Sequence, residues 1–162
     1  VILAYLRQEA GRVDVIEAAL FQSMSATPDY EFFTSSLSLT EVAFVEGLDG
    51  GIEANFSVID DFWDSVPITM LEVNEVNAIG GRALLRERAL ANTNPQLPKP
   101  RKRAADAIHL ATALWLELDE FWTYDTRDLL KYPEHAIIIC EPHARQMMLP
   151  FSQIDDSPVS DG

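Results

Sequence analysis

Apolar and polar residues follow one another along this chain in blocks that predict alternating helices and strands. Apolar residues spaced three and four positions apart predict helices over residues 13–24, 55–66 and 74–92. In the third helix we expect five side chains to face inward: Val76, Ile79, Leu84, Leu85 and Leu90. Shorter apolar runs at residues 32–37, 68–73 and 136–140 have the composition of buried strands. Residues 1–6 are equally apolar, and we expect a strand there that leads into a turn or helix.

Residues 103–118 form the most unusual segment, because the predicted helix is almost wholly apolar. A helix that is apolar on nearly every side is normally buried on nearly every side. Asp106 lies in its first turn, and a buried ionised carboxylate is costly unless a cation or strong hydrogen-bond donors face it. Asp125 follows the apolar and aromatic residues 121–124, where a strand is expected to end. These two carboxylates indicate a candidate site.

The alternation of strands and helices predicts an α/β domain of three layers around a central parallel sheet. Ligands of such sheets gather beyond the carboxyl ends of the strands. Glu41 follows the predicted strand at 32–37, in the first turn of a helix that Ser38 or Thr40 could cap and that ends near Gly47. Taken alone, Glu41 is an ordinary acid at a helix N-terminus, a favourable position.

Composition limits the possible classes of protein. With 162 residues and 48% hydrophobic residues, the chain fits one domain over residues 1–150, followed by an acidic and disordered tail at 151–162. No apolar run approaches the roughly 20 residues of a membrane span. Cys140 is the single cysteine, so no intramolecular disulfide forms, which fits a reducing cytoplasmic setting. The chain starts at Val1 without a methionine, and we expect its natural start upstream.

The charge is strongly negative but unevenly distributed. The net charge is −14, which does not favour nonspecific binding to nucleic acid. Seven of the 12 basic residues nevertheless lie within residues 82–103, directly before the apolar helix. This basic segment is either a solvated helix face with a loop or a surface for phosphate groups.

Three sequence motifs resemble those of the PIN-domain nucleases, in particular the VapC-type toxin ribonucleases of toxin–antitoxin pairs. They are SSLSLTEV at residues 35–42, ADAIHLATA at 105–113 and TYDTRDL at 123–129. The resemblance implies a PIN-like three-layer α/β/α sandwich with a central parallel sheet of four to five strands. It also implies a pocket of four carboxylates that binds Mg²⁺ or Mn²⁺ and hydrolyses RNA phosphodiester bonds. Glu41, Asp106 and Asp125 match the second, third and fourth acids, and the first is expected upstream of Val1.

Within this resemblance, we expect Asp106 to ligate the metal directly, while Glu41 and Asp125 ligate it or orient its water. Asp128 is a reserve ligand, although a solvated turn or capping residue is the favoured interpretation. Thr123 could hydrogen-bond an acid or the attacking water, although an ordinary strand threonine is favoured. His109 is interpreted as a packed, hydrogen-bonded side chain, since hard cations seldom bind imidazole. The expected RNA-binding residues are Arg82, Arg86, Lys99, Arg101, Lys102 and Arg103. The expected partners are the RNA substrate, a cognate antitoxin that covers the acidic pocket, and a second copy in a homodimer, with no membrane.

Two other functions remain open. The chain could be a binding or scaffold module on a degenerate PIN fold, without metal or catalysis, as the net acidity and the missing first acid suggest. A receiver-like or phosphatase-like α/β domain also carries acids at strand ends. That class ranks last, because paired acids after the first strand and a lysine after the last strand are lacking.

Overall fold

The computed structural model describes residues 1–26, 28, 30–47, 50–91, 104–126, 129–131 and 136–144. Its helices are α1 (Ile2–Leu6), α2 (Val13–Ser23), α3 (Leu37–Glu41), α4 (Gly51–Ser65), α5 (Glu75–Ala91) and α6 (Ala104–Trp115), with a short 3-10 helix at Leu129–Lys131. Its strands are β1 (Phe32–Ser35), β2 (Ile68–Leu71), β3 (Glu120–Trp122) and β4 (Ile138–Cys140). The tail at 151–162 lies outside the described residues.

The strands pair in two separate parallel sheets. β1 pairs with β2, and β3 pairs with β4. The prediction of one central sheet with four to five strands, and hence of the PIN-like three-layer sandwich, is therefore wrong for the described part of the chain, although helices and parallel strands do mix. The two sheets meet through side chains, since the rings of Phe32 and Trp122 lie 5.2 Å apart. β3 and β4 have only three residues each, which leaves little backbone for a wider hydrogen-bonded ladder.

Residues 1–6 form a helix, which corrects the predicted strand. The backbone N–H of Tyr5 donates to the carbonyl of Val1 at 3.1 Å, and that of Arg7 donates to Leu3 at 3.0 Å. Ala4 and Leu6 are buried in two different clusters, one with α2 and one with α4. Such burial on several sides explains why the helix shows no polar face, the feature that would have separated it from a strand.

The helix after β1 is shorter than predicted. α3 ends at Glu41 rather than near Gly47, so Glu41 occupies the last helical position instead of the first turn. The chain beyond it is held by Asn55 of α4, whose Nδ2 donates to the Val45 carbonyl at 2.6 Å and whose Oδ1 accepts the Val45 N–H at 3.1 Å. Val45 is fully buried in the cluster with Phe62. These two hydrogen bonds from Asn55 fix the backbone at Val45, where the chain is no longer helical.

Helices α5 and α6 pack with their backbones close together. A Cβ added at Gly81 would lie 3.0 Å from a side-chain carbon of Ile108 and 3.2 Å from its backbone nitrogen. Asn77 and Gly81 are buried on α5, whereas Val76 and Ile79 are 54% and 55% exposed. The prediction that Val76 and Ile79 face inward is therefore wrong, because small residues set this interface.

The other three residues of α5 that are predicted to face inward differ in their surroundings. Leu84 packs against the cluster around Leu110 of α6. Leu85 is half-buried, and the side chain of Leu90 lies outside the described residues. α6 itself carries five buried residues, which agrees with its apolar sequence: Ala107, Leu110, Ala111, Thr112 and Ala113. Within the described ranges, no helix has both the length and the apolar character needed to cross a membrane.

Candidate carboxylate site at helix α6

The three predicted acids lie at three different elements. Glu41 ends α3 and is exposed, Asp106 lies in the first turn of α6 and is half-buried, and Asp125 follows β3 and is half-buried. Their carboxylate oxygens do not all lie within 4.8 Å of one another. One ion bound directly by all three would therefore require the side chains to move.

His109 of α6 connects Glu41 to the helix that carries Asp106. The Nε2 atom of His109 lies 2.7 Å from Oε2 of Glu41, and Nδ1 lies 2.8 Å from Oγ of Ser35. Because an ionised carboxylate only accepts hydrogen bonds, Nε2 carries the hydrogen and donates it to Glu41. In neutral imidazole Nδ1 then accepts the hydroxyl hydrogen of Ser35. The prediction of a packed, hydrogen-bonded histidine agrees with this arrangement.

Ser35 gives the histidine a rigid support at the end of β1. Ser35 is only 3% exposed, so its hydroxyl group cannot reach a substrate as a nucleophile. The adjacent backbone is fixed, since the N–H of Ser36 donates to the Leu71 carbonyl at 2.8 Å. The hydroxyl groups of Thr34 and Ser38 also lie 2.6 Å apart across the start of α3. The Ser35–His109–Glu41 series is therefore a support for a carboxylate, not a catalytic triad.

The spacing along α6 brings Asp106 to the same face as His109. Residues three positions apart on a helix are neighbours on its surface. Asp106 and the Glu41 carboxylate that His109 holds therefore belong to one region of the molecule, although they lie 65 positions apart in the sequence. The hydrogen bond uses Oε2 of Glu41, so Oε1 can still ligate a cation.

Asp125 is oriented through its backbone. Its N–H donates to Oγ1 of Thr123 at 3.0 Å, and its carbonyl accepts the Leu130 N–H at 3.0 Å. Thr123 is buried and begins the loop by donating its own N–H to the Cys140 carbonyl at 2.9 Å. The contribution of Thr123 is thus to fix the turn that presents Asp125.

Arg12 is a nearby cation that the sequence patterns did not indicate. Its guanidinium lies 4.3 Å from the centre of the ring of Tyr124, the residue that directly precedes Asp125 in the sequence. The same guanidinium pairs with the Glu9 carboxylate. Burial raises the pKa of Tyr124, while Arg12 acts against that shift.

A second group of possible metal ligands lies at β3 and β4. In the described part of the chain, Glu120, Cys140 and His143 are the residues whose ligand atoms all lie within 4.8 Å of one another. Cys140 belongs to a segment with the composition of a buried strand, but the residue itself is only half-buried. Burial, together with the Glu120 carboxylate, raises the pKa of the Cys140 thiol. The contact depends on parallel pairing of two distant strands, which no local motif encodes.

The expected RNA-binding residues are only partly described. Arg82 and Arg86 are both exposed on α5. Outside the described residues lie the side chain of Arg88, the reserve ligand Asp128, and the other basic residues, which are Lys99, Arg101, Lys102 and Arg103. A comparison of the chain with protein families, characterised proteins and solved structures finds no match.

Proposed function

We propose that this chain is a metal-dependent endoribonuclease that uses Mg²⁺ or Mn²⁺, and that it is the toxin of a type II toxin–antitoxin pair. The observation that carries the proposal is the hydrogen bond from His109 to Glu41, which joins one predicted acid to the helix of another. Ser35 and Glu41 lie in one of the three motifs that resemble VapC-type toxins, and Asp106 and His109 lie in another. A contact between two of these motifs is a reason to treat them as one site.

The donor set suits a hard cation. Mg²⁺ prefers oxygen ligands and usually keeps several waters, with only one or two carboxylates bound directly. Asp106 is the proposed direct ligand, and Glu41 and Asp125 ligate the ion or hold its waters. The wider separation of the three acids is compatible with water-mediated ligation. When bound, such an ion lowers the pKa of its water and neutralises negative charge that develops on the phosphate.

The substrate in this proposal is single-stranded RNA. Arg82 and Arg86 offer exposed guanidinium groups for phosphate contacts, and the basic residues at 99–103 would extend this surface. Because the net charge is −14, such contacts are local and do not provide general affinity for nucleic acid. The proposed setting is the cytoplasm, where RNA is available.

The proposed protein partners are a cognate antitoxin and a second copy of the chain. The antitoxin would cover the acids around α6 and so keep RNA from them. For the homodimer, α4 offers apolar side chains one turn apart, since Ile52 is 64% exposed and Phe56 is 48% exposed. Exposed apolar groups that share a helix face are common at such interfaces.

The decisive experiment is cleavage of single-stranded RNA in Mn²⁺ by the wild type and by Asp106→Asn. The substitution keeps the shape of the side chain but removes its charge, and we expect it to abolish cleavage. Asp60→Asn is the matched control, because Asp60 is exposed on α4, and it should cleave like the wild type. Full cleavage by a folded Asp106→Asn protein would refute the site assignment.

A binding or scaffold module without catalysis is the second candidate. The observation in its favour is that the three carboxylates are not gathered within 4.8 Å, while one oxygen of Glu41, Oε2, already accepts a hydrogen bond from His109. This function predicts that the wild type itself neither binds Mn²⁺ nor cleaves RNA. Electron paramagnetic resonance of Mn²⁺ titrated with the purified chain separates the two candidates, because protein-bound Mn²⁺ loses the sharp signal of the free ion.

A further inference from the structure

The parallel register of β3 and β4 brings three chemically different side chains to one face of the sheet. Side chains at alternate positions of a strand point to the same face, and Trp122 lies opposite Cys140. Glu120, Trp122 and Cys140 therefore share one face. The intervening residues Phe121 and Ile139 pack on the opposite side against the α6 cluster.

The distances within this group match the needs of a metal ion. Sγ of Cys140 lies 3.9 Å from Oε2 of Glu120, and Nε2 of His143 lies 3.6 Å from Oε1 of Glu120. In a tetrahedral zinc site with ligands at 2.0–2.3 Å, neighbouring ligand atoms are about 3.4–3.7 Å apart. The two distances end on different oxygens of Glu120, but one ligand atom of each residue lies within 4.8 Å of the other two, so a rotation of the carboxylate together with small shifts would complete the site.

The imidazole of His143 has the orientation that a ligand requires. Its Nδ1 faces the backbone carbonyl of Glu141 at 3.4 Å, and a carbonyl oxygen can accept a hydrogen bond but cannot donate one. In the neutral form with its hydrogen on Nδ1, His143 directs the lone pair of Nε2 toward the Glu120 carboxylate 3.6 Å away, and a cation bound between these two acceptors would offset their repulsion. Metal-binding histidines commonly donate their other N–H to a carbonyl in this way.

Trp122 supports the Glu120 carboxylate through a hydrogen bond. The indole Nε1 of Trp122 donates to Oε2 of Glu120 at 2.6 Å. The ring of Trp122 also lies 5.4 Å from the His143 ring and 5.4 Å from the Tyr30 ring. The hydroxyl of Tyr30 donates to the His143 carbonyl at 3.2 Å, which anchors the segment after β4. Two of the three candidate ligands thus have supporting contacts of their own.

We propose that Glu120, Cys140 and His143 bind one Zn²⁺ ion through a carboxylate oxygen, the Cys140 thiolate and Nε2 of His143, with water in the fourth position. The thiol proton passes to solvent when the metal binds. The site is separate from Glu41 and Asp106, and it does not depend on nuclease function. Thiolate and imidazole select zinc, whereas Mg²⁺ and Mn²⁺ prefer oxygen ligands alone.

Titration of the full chain with Co²⁺ tests the site, because Co²⁺ replaces zinc in tetrahedral sites and absorbs when a thiolate binds it. We expect one equivalent of Co²⁺ to produce a thiolate-to-cobalt charge-transfer band and tetrahedral visible bands, which Zn²⁺ then removes. Cys140→Ser should abolish the charge-transfer band. Trp122→Phe should weaken Co²⁺ binding about 10- to 100-fold, as loss of a supporting hydrogen bond does.

His143→Gln and Glu141→Gln form the matched pair that keeps the test decisive if Cys140→Ser fails to fold. Both residues are exposed, so neither change should disturb the core. His143→Gln removes the proposed ligand and should weaken Co²⁺ binding at least tenfold, whereas Glu141→Gln leaves the carbonyl acceptor in place and should bind normally. Absence of Co²⁺ binding, binding without the thiolate band, or binding unchanged by His143→Gln would each overturn the proposal.

Discussion

The two histidines of the candidate sites differ in how their nitrogens are occupied. His109 is largely buried, with 16% of its side chain exposed, and both nitrogens have partners within 2.8 Å. His143 has 46% of its side chain exposed, and its nitrogens have only long contacts of 3.4 and 3.6 Å. A histidine with both nitrogens occupied orients other groups. A histidine with one weakly engaged nitrogen is still available as a ligand.

The two sites also differ in how much of the fold they need. The His109 site draws on β1, α3 and α6, and its side chains come from positions 35, 41, 106 and 109. The group around His143 uses one pair of strands and the segment directly after it. Because α6 itself carries Asp106 and His109 but meets the second site only through Phe121 and Ile139 on the opposite face of the strands, packing changes around α6 should disturb the first site more than the second.

Substitution of Gly81 by alanine should lower the free energy of unfolding substantially. The added Cβ meets the backbone of Ala107 and Ile108 at 3.2–3.3 Å, so α5 and α6 must separate. We expect the free energy of unfolding to fall by about 1–3 kcal/mol, as overpacking usually costs. Urea denaturation followed by circular dichroism measures the change.

Ala83→Ser is the control for Gly81→Ala, because Ala83 is exposed on the same helix. Its free energy of unfolding should stay within about 0.5 kcal/mol of the wild type. In Gly81→Ala we also expect Mn²⁺ binding at the His109 site to weaken while the Co²⁺ band of the group around His143 persists. Equal stability of the two variants would mean that the helices are not so closely packed.

Alkylation of Cys140 should reveal a smaller effect at the second site. Burial and the Glu120 carboxylate raise the pKa of the thiol, so less of the reactive thiolate is present near pH 8 than in a free cysteine. Glu120→Gln removes the negative charge and lowers this pKa, and in metal-free protein iodoacetamide should react a few-fold faster. The rate should converge with that of the wild type well above pH 9. Equal rates at pH 8 would show that Glu120 does not act on the thiol.

Sequence patterns predicted the elements better than their arrangement. Helices at α2, α4, α5 and α6 and strands at β1 to β4 follow from periodicity and composition, with ends displaced by a few residues. Composition predicts a strand at residues 1–6, where the structure has a helix, because a helix buried on several sides lacks a polar face. Their apolar character predicts that Val76 and Ile79 face inward, whereas the contact between α5 and α6 is set by Gly81.

The candidate sites were predictable to different degrees, for a physical reason. Glu41 and Asp106 lie in local motifs that can be identified one by one, and the interpretation of His109 as hydrogen-bonded agrees with the structure. Its partner Glu41 lies 68 positions away, and that pairing depends on how α3 docks on α6. Cys140 and His143 lie in no motif, so only the register of β3 with β4 identifies them with Glu120.

We propose that His109 holds Glu41 in place for a cation site shared with Asp106. Mn²⁺ binding by His109→Leu and His109→Gln, measured by electron paramagnetic resonance, tests it most directly. Leucine removes both hydrogen bonds, and we expect the Kd for Mn²⁺ to rise about 10- to 100-fold. Glutamine keeps an N–H donor that can reach Glu41 and should recover most of the affinity. A folded His109→Leu protein that binds Mn²⁺ as tightly as the wild type would contradict the claim.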